Sequence, residues 1–309
     1  MELRLFLKNG GQEKRMVEEL HWVSSRTGAA FAEVLLPEGT AEMGQRVRLS
    51  ENGTPFFDGF VFQAEESEKG TELLCYDRVK YLLYKDTKVF QNRTAGQIAE
   101  EILKERQLPI GKVAATGHTI PSLVMEGRPL LEMIRKGISE TEAAIGEGFV
   151  FFDDCGEFSL KRTADNASGV LLSGENQILS LTKSRDIDGD SYNRFKLWQE
   201  DGRSGFRRVT VFDRTEEQKN WGMLQYFERV DSKLSSAQVK ERIRALEQAK
   251  CRVRQQVFLE ALADVRCRGG KTVLLRDGGS VGRFLIEEAQ MRFANGAGKM
   301  ALKLRKEQK

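Results

Sequence analysis

Gln45-Arg46-Val47-Arg48-Leu49 alternates polar and apolar residues, turns at Glu51-Asn52-Gly53, and continues as Gly59-Phe60-Val61-Phe62-Gln63. After a second turn at Gly70 comes Leu73-Leu74-Cys75-Tyr76. Period-two alternation broken by Asn-Gly is the strongest short-range hairpin signal in a sequence. The same order returns near the end. Lys271-Thr272-Val273-Leu274-Leu275 turns at Asp277-Gly278-Gly279, and Gly282-Arg283-Phe284-Leu285-Ile286 follows. Past Asn295-Gly296 runs Lys299-Met300-Ala301-Leu302-Lys303-Leu304. Strand, glycine turn, strand opening on glycine, longer turn, strand: two such meanders predict two related β-barrels made by duplication.

Working outward, Glu2 to Leu7, Glu19 to Ser24 and Ala30 to Leu35 read as strands, with a turn at Pro37-Glu38-Gly39 and a short helical exit from Asp77 to Leu83. Around Asp86 the period changes. Thr94 and Gln97 form a capping box for a helix carrying Ile98, Ile102 and Leu103, stopped by Pro109 and Gly111. A second helix starts with Pro129 at its first position and shows Leu130, Met133, Ile134 and Ile138 on one face. Phe149 to Asp153 and Glu157 to Arg162 make a hairpin about Asp154-Cys155-Gly156. Strands return at Ile178 to Thr182, Asn193 to Trp198, Arg207 to Phe212 and Leu224 to Phe227. Ser235 and Gln238 cap a helix with Val239, Ile243, Leu246, Val253 and Val257 at helical spacing. The expected fold class is α+β, mainly β. Residues 1–86 form a first barrel, 87–165 an α+β module, and 166–309 a second barrel with a long helix over about 236–256.

Composition narrows the function. With 49 Lys+Arg against 46 Asp+Glu, no bulk field draws the chain to nucleic acid or anionic membrane. No apolar run approaches the ~20 residues of a membrane helix. The opening Met1-Glu2-Leu3-Arg4-Leu5-Phe6 reads as a first strand rather than a leader. Four unpaired, widely spaced cysteines (Cys75, Cys155, Cys251, Cys267) suit reduced thiols in a cytosolic product.

Chemical motifs are weak. His21 sits beside Trp22 in a strand and His118 in a loop, neither near a nucleophile. Asp186-Ile187-Asp188-Gly189-Asp190 resembles a calcium loop, but Ser191 stands where glycine belongs and Leu197 where the bidentate glutamate belongs. Gly270-Lys271-Thr272 resembles the end of a phosphate loop, yet Val265 replaces the partner glycine and a strand follows. Gly278-Gly279 and Gly282 belong to a hairpin rather than to a dinucleotide fingerprint. The pairs Glu65-Glu66, Asp153-Asp154 and Glu287-Glu288 read as solvated acids. Lys240, Arg242, Arg244, Lys250, Arg252 and Arg254 read as a solvated or partner-facing helix flank. Catalytic, cofactor-binding and metal-binding residues are all expected to be absent.

The order of the pieces resembles the baseplate hub proteins of contractile phage tails, defective-phage particles and phage-tail-like bacteriocins. Leu74-Cys75-Tyr76-Asp77-Arg78 leading to Tyr81-Leu82-Leu83, and Val89-Phe90-Gln91-Asn92-Arg93-Thr94-Ala95 before a helix, carry the likeness. Tyr192-Asn193-Arg194, Gly222 to Tyr226, Gly270 to Leu275, Gly282 to Ile286 and Gly298 to Leu304 extend it over essentially the whole chain. The resemblance implies a structural homotrimer, each chain giving two tube-like barrels, so that six barrels meet a six-fold tail tube while three-fold symmetry serves a central spike. Tail tube protein and central spike protein are the implied partners, with tape measure and baseplate wedge proteins beside them. No membrane and no specific nucleic acid are implied. The protein would be made in the bacterial cytoplasm and assembled into the baseplate. Related secretion-system spikes continue into a β-helical needle; this sequence ends at Lys309, so the spike is expected to be a separate protein. Two rivals stand: a tail-associated cell-wall hydrolase with a perturbed carboxylate in the middle module, and nucleic-acid-binding barrels.

Overall fold

The computed structural model describes residues 1–6, 10–174, 177–200 and 205–306; Leu7, the end of the expected first strand, and the terminal tail at 307–309 lie outside them. The first part holds β1 (Glu2–Phe6), β2 (Gln12–Met16), β3 (Glu19–Ser25), β4 (Phe31–Leu36), β5 (Arg46–Glu51), β6 (Thr54–Ser67) and β7 (Gly70–Asp77). Next come β8 (Lys85–Thr94), α1 (Ala95–Glu105), β9 (Ile110–Val113), β10 (Thr119–Pro129), α2 (Leu130–Ile145), β11 (Phe149–Asp153) and β12 (Phe158–Arg162). The last part holds β13 (Ala167–Leu172), β14 (Ile178–Asp186), β15 (Arg194–Glu200), β16 (Arg207–Asp213), α3 (Thr215–Trp221) and β17 (Gln225–Arg229). It ends with α4 (Ser236–Lys250), β18 (Arg254–Leu262), β19 (Thr272–Asp277), β20 (Ser280–Ala294) and β21 (Ala297–Lys306). The class is mainly β.

Both meanders form where the turns place them. Asn52 and Gly53, Gly278 and Gly279, and Asn295 and Gly296 all take positive φ, which two-residue primed hairpin turns require. The duplication is deeper than the sequence shows. The order β3-β4-β7-β6-β5-β1 is matched by β14-β18-β21-β20-β19-β13. In each half the long strand carries a β-bulge at the same place, between Val61 and Gln63 in β6 and between Ile286 and Glu288 in β20. The glycines that made the two sequences look alike are not equivalent. Gly59 lies opposite Val47, whereas Gly282 lies opposite Leu275, two residues nearer its turn. Gly59 is required by crowding, since a Cβ there would stand 2.3 Å from the Tyr76 carbonyl oxygen. One strand breaks the parallel: β1 pairs antiparallel with β5, but β13 pairs parallel with β19.

Neither half closes into a cylinder among the described residues. Past its bulge β20 leaves β19, and β3 fills the vacated edge in antiparallel register from Glu288 opposite Ser25 to Ala294 opposite Glu19. The result is one open 13-stranded sheet that ends at β14 and at β2. One apolar core serves both halves, from Leu3, Val34, Leu49 and Leu73 to Leu259, Val273, Met291 and Leu302. The two tube-like barrels expected are thus not closed cylinders among the described residues, because past its bulge β20 takes β3 as partner and joins the two halves in one sheet.

The middle segment packs α1 and α2 against the β8–β10 ribbon and the sheet β11-β12-β9 around Ile98, Ile102, Met133, Phe149 and Phe158. The Thr94–Gln97 capping box is present. Pro129 closes β10 and precedes α2 as its cap instead of opening the helix. A further sheet, β16-β15-β17, lies between β14 and β18, with α4 covering Phe195 and Leu197 through Val239, Ile243 and Leu246. The Ser235–Gln238 capping box opens α4 as read, but the helix stops at Lys250 and not near residue 256. Val257, assigned above to its apolar stripe, lies in β18 between Lys183 and Leu304. The spacing suited a helix; the need for a strand bridging β14 and β21 overrode it. α3 buries no residue, which is why no apolar stripe announced it.

Trp22 and Met291 lie directly opposite each other where the halves meet, 1% and 0% exposed. Met291→Ala should lower stability by about 2 to 5 kcal/mol through the cavity it leaves, read as a lower urea midpoint with an unchanged slope.

A buried charge network as candidate functional site

Asp58 on β6 is the most buried acid of the chain's centre, its side chain 0% exposed. Strand pairing sets Arg48 opposite it and Arg46 two residues along the same face of β5. Arg46 Nε and Nη2 donate to the two Asp58 carboxylate oxygens at 3.0 and 2.9 Å, and Arg48 Nε donates at 2.8 Å. Arg78 adds a fourth bond at 2.8 Å from the 3-10 turn after β7, a turn capped by Asp77 accepting from the Val79 N–H. Burial pushes the Asp58 carboxyl up, but the hydrogen bonds from Arg46 and Arg78 outweigh it and hold the pKa low.

The tip of the β11–β12 hairpin plugs into this cluster. Asp153 accepts from the backbone N–H of Arg78 at 3.1 Å and from that of Gly156. Asp154 takes Lys161 at 2.8 Å and Arg268 at 2.6 Å, and Arg268 also donates toward Cys155 Sγ at 3.3 Å. Arg268 precedes β19, so both meanders grip the same hairpin tip. Asp77 and Asp153 have pKa values raised, Asp77 by burial and then by the Asp153 carboxylate, Asp153 chiefly by burial. A cavity of about 40 Å³ borders the cluster, lined by Trp22, Phe56, Asp77, Asp153 and Arg268 among others.

Raised carboxyls beside a cavity are the usual mark of a general acid. Here both acids are engaged by backbone N–H groups. The space suits a water or two, far below the ~300 Å³ at which small-molecule pockets begin. These contacts tie the middle segment to both halves of the sheet. A second tie binds the inserted sheet, with Arg242 of α4 contacting Glu140 of α2 at 2.9 Å and Glu228 of β17 at 3.0 Å. Lys136 of α2 reaches Glu140 at 2.8 Å and Glu228 at 3.3 Å. Arg242, expected on a solvated or partner-facing flank, is thus an internal tie, its acids coming from α2 and β17.

The remaining sequence candidates scatter. His21 Nδ1 meets Glu33 at 2.7 Å on the neighbouring strand, and the backbone N–H of His118 donates to Thr116. Asp186 and Asp190 pair with Arg254 and Lys250 in a turn. Gly270, Lys271 and Thr272 donate their N–H groups to Ile286, Arg268 and Asn166, leading into β19 with no helix to hold a phosphate. Glu287 is the bulge residue and meets Arg305 at 3.3 Å. Glu65 and Glu66 are exposed on β6. The four cysteines are free thiols, and burial pushes those of Cys75 and Cys267 up to about 12. Among the described residues no group of His, Cys, Asp or Glu could hold a metal, and no helix is long and apolar enough to cross a membrane. Sequence reading missed Arg78 and Arg268 as site residues; the one signal was the place of Arg78 directly after the end of β7, whereas Arg268 lies in the connection between β18 and β19.

The fold is similar to that of solved phage tail proteins. The 43 kDa tail protein of prophage MuSo2 from Shewanella oneidensis superposes with TM-score 0.66 at 12% identity, over 99% of this chain and 98% of that one. The Escherichia coli c3393 protein, described as a type VI secretion component similar to bacteriophage T4 gp27 and gp5, gives 0.62 at 12% identity, over 100% of this chain and 78% of its own. In sequence the chain is 28% identical to the phage-like element PBSX protein XkdQ of Bacillus subtilis, over 64% of this chain and 61% of that protein. The YQBQ-like family model matches residues 20–305, and the chain belongs to that family.

Asp58→Asn would leave three arginines around a neutral side chain and should cost about 3 to 5 kcal/mol, measured by urea unfolding at neutral pH. Asp77 behaves oppositely with pH. A folded-state acid whose pKa is raised holds its proton longer than the unfolded chain does, so its stabilisation at low pH is lost as pH rises toward the raised value. Asp77→Asn keeps the acceptor for Val79 without the charge. Its urea midpoint relative to wild type should climb as pH is raised from about 4 toward about 7.

Proposed function

We propose that this protein is a structural hub of a phage-tail baseplate, a homotrimer that adapts a six-fold tail tube to a three-fold central spike. The observation behind this reading is the repeated strand order with its equivalent bulges. A chain that carries one unit twice can present six similar units when three copies assemble, while keeping three-fold symmetry elsewhere. In this reading 1–86 and 166–309 are the hub units, tube-like barrels completed by assembly, and 87–165 is a module on their flank. Tail tube and spike proteins are the direct partners, and tape measure and wedge proteins are neighbours. The place of action is the baseplate of a phage or phage-tail-like particle, reached from the bacterial cytoplasm. The role is non-enzymatic and needs no cofactor, membrane or specific nucleic acid. Relatives named as tail proteins and as a phage-like element protein support it.

The raised acids Asp77 and Asp153 are the observation that favours the cell-wall hydrolase instead. One experiment separates the readings. Purified chain should sediment as three copies, co-purify with tube and spike subunits of its own particle, and leave a peptidoglycan zymogram uncleared. A monomer that captures neither subunit overturns the hub, and clearing abolished by Asp153→Asn establishes the hydrolase.

A further inference from the structure

The junction inside the chain has an unfilled counterpart at its surface. At the internal junction, β3 pairs with the part of β20 beyond the bulge. The strand orders make β14 the counterpart of β3 and β6 the counterpart of β20. Among the described residues β14 has a strand on one side only, and so does β6 beyond its bulge, from Gln63 to Ser67. Burial tells the same story. β3 is buried at Leu20, Trp22, Val23 and Ser24, whereas β14 buries none of its residues fully and leaves Leu179 51% exposed. Gln63, Glu65, Glu66 and Ser67 are exposed, whereas Ala289 and Met291 of β20 are buried.

We propose that β14 of one copy pairs antiparallel with Gln63 to Ser67 of β6 in the next copy, repeating between chains the junction that β3 and β20 make within one. The proposal rests on the trimeric hub reading and specifies its interface. Register follows from the equivalences. The shared bulge matches Val61 with Ile286, which makes Glu66 the counterpart of Met291. Ala32 and Val257 occupy matching places opposite Cys75 and Leu304, which makes Lys183 the counterpart of Trp22. Because Met291 lies opposite Trp22, Glu66 lies opposite Lys183 of the neighbouring copy. On the same scheme Ala64 faces Arg185, Glu65 faces Ser184, Ser67 faces Thr182 and Gln63 faces Asp186.

Charge agrees with this register, which was derived without it. The β6 segment presents Glu65 and Glu66, and the β14 segment presents Lys183 and Arg185. Directly opposed opposite charges stabilise an antiparallel pair and reject other registers. Lys183 holds Asp277 within its own chain yet keeps 58% of its side chain exposed. The chemistry of the two junctions differs for a reason. The internal one forms during folding and can be apolar, with Trp22 against Met291. The external edges meet water before assembly, and charged side chains keep exposed strand edges from pairing indiscriminately. The adjacent acids at Glu65-Glu66, unexplained as chemistry, become half of a recognition element.

Charge reversal tests the pairing in the full chain. Glu66→Lys alone and Lys183→Glu alone should each weaken the junction by roughly five- to tenfold, seen as monomer in sedimentation where wild type is trimeric. The double reversal should restore the trimer. Glu66→Cys combined with Lys183→Cys should give disulfide-linked dimers and trimers on a denaturing gel after mild oxidation, and neither single variant should. A wild-type trimer that is indifferent to both reversals and yields no cross-link overturns the pairing and leaves the hub reading intact. A wild type that stays monomeric overturns both.

Discussion

The pairing of β3 with the far half of β20 is the constraint on which the rest of the architecture depends. A strand of fifteen residues with a bulge after its seventh keeps β21 along one edge throughout, but on the other edge its pairing with β19 stops at Leu285, just before the bulge. The second half then needs another strand, and the chain supplies it from its own beginning, more than 250 residues away. This long-range closure merges two meanders into one sheet over one core.

The middle segment and the inserted sheet are attached by a different kind of interaction. Their own cores are apolar and local, but the surfaces that join the middle segment to the large sheet, and the inserted sheet to the middle segment, are held by buried or half-buried ion pairs. Asp58 with its three arginines, Asp154 with Arg268, and Arg242 with Glu140 and Glu228 make up these joints. Buried ion pairs add little net stability compared with apolar packing, yet they tolerate only one geometry. For a part that must hold fixed angles between a tube above and a tip below, directional joints between apolar blocks suit the proposed task. The same logic accounts for the raised acids. They are consequences of crowding carboxylates into a joint.

In the proposed hub, function resides in surfaces rather than in motif chemistry. Membership of the YQBQ-like family and the fold likeness to prophage tail proteins point the same way as the duplicated sheet does. In the proposed trimer, the duplication has a physical reason: a closed assembly of three chains that each carry the unit twice can match a partner of six.

By itself the sequence determined what is local. The Asn-Gly and Gly-Gly turns, the period-two strands of both meanders and the two capping boxes all follow from backbone preferences within a few residues, and all stand where the pattern put them. It determined that the halves are alike, although it aligned Gly59 with Gly282 when the bulges show the true correspondence. The tertiary structure alone decided the rest. Val257 is helical by spacing but a strand residue by position, because β14 and β21 need a strand between them. Arg78, Arg242 and Arg268 look like ordinary surface cations in sequence, and each became a buried joint when a distant acid arrived opposite it. Pairing across a fold depends on which edges remain unfilled after local structure forms, and no window of neighbouring residues contains that information.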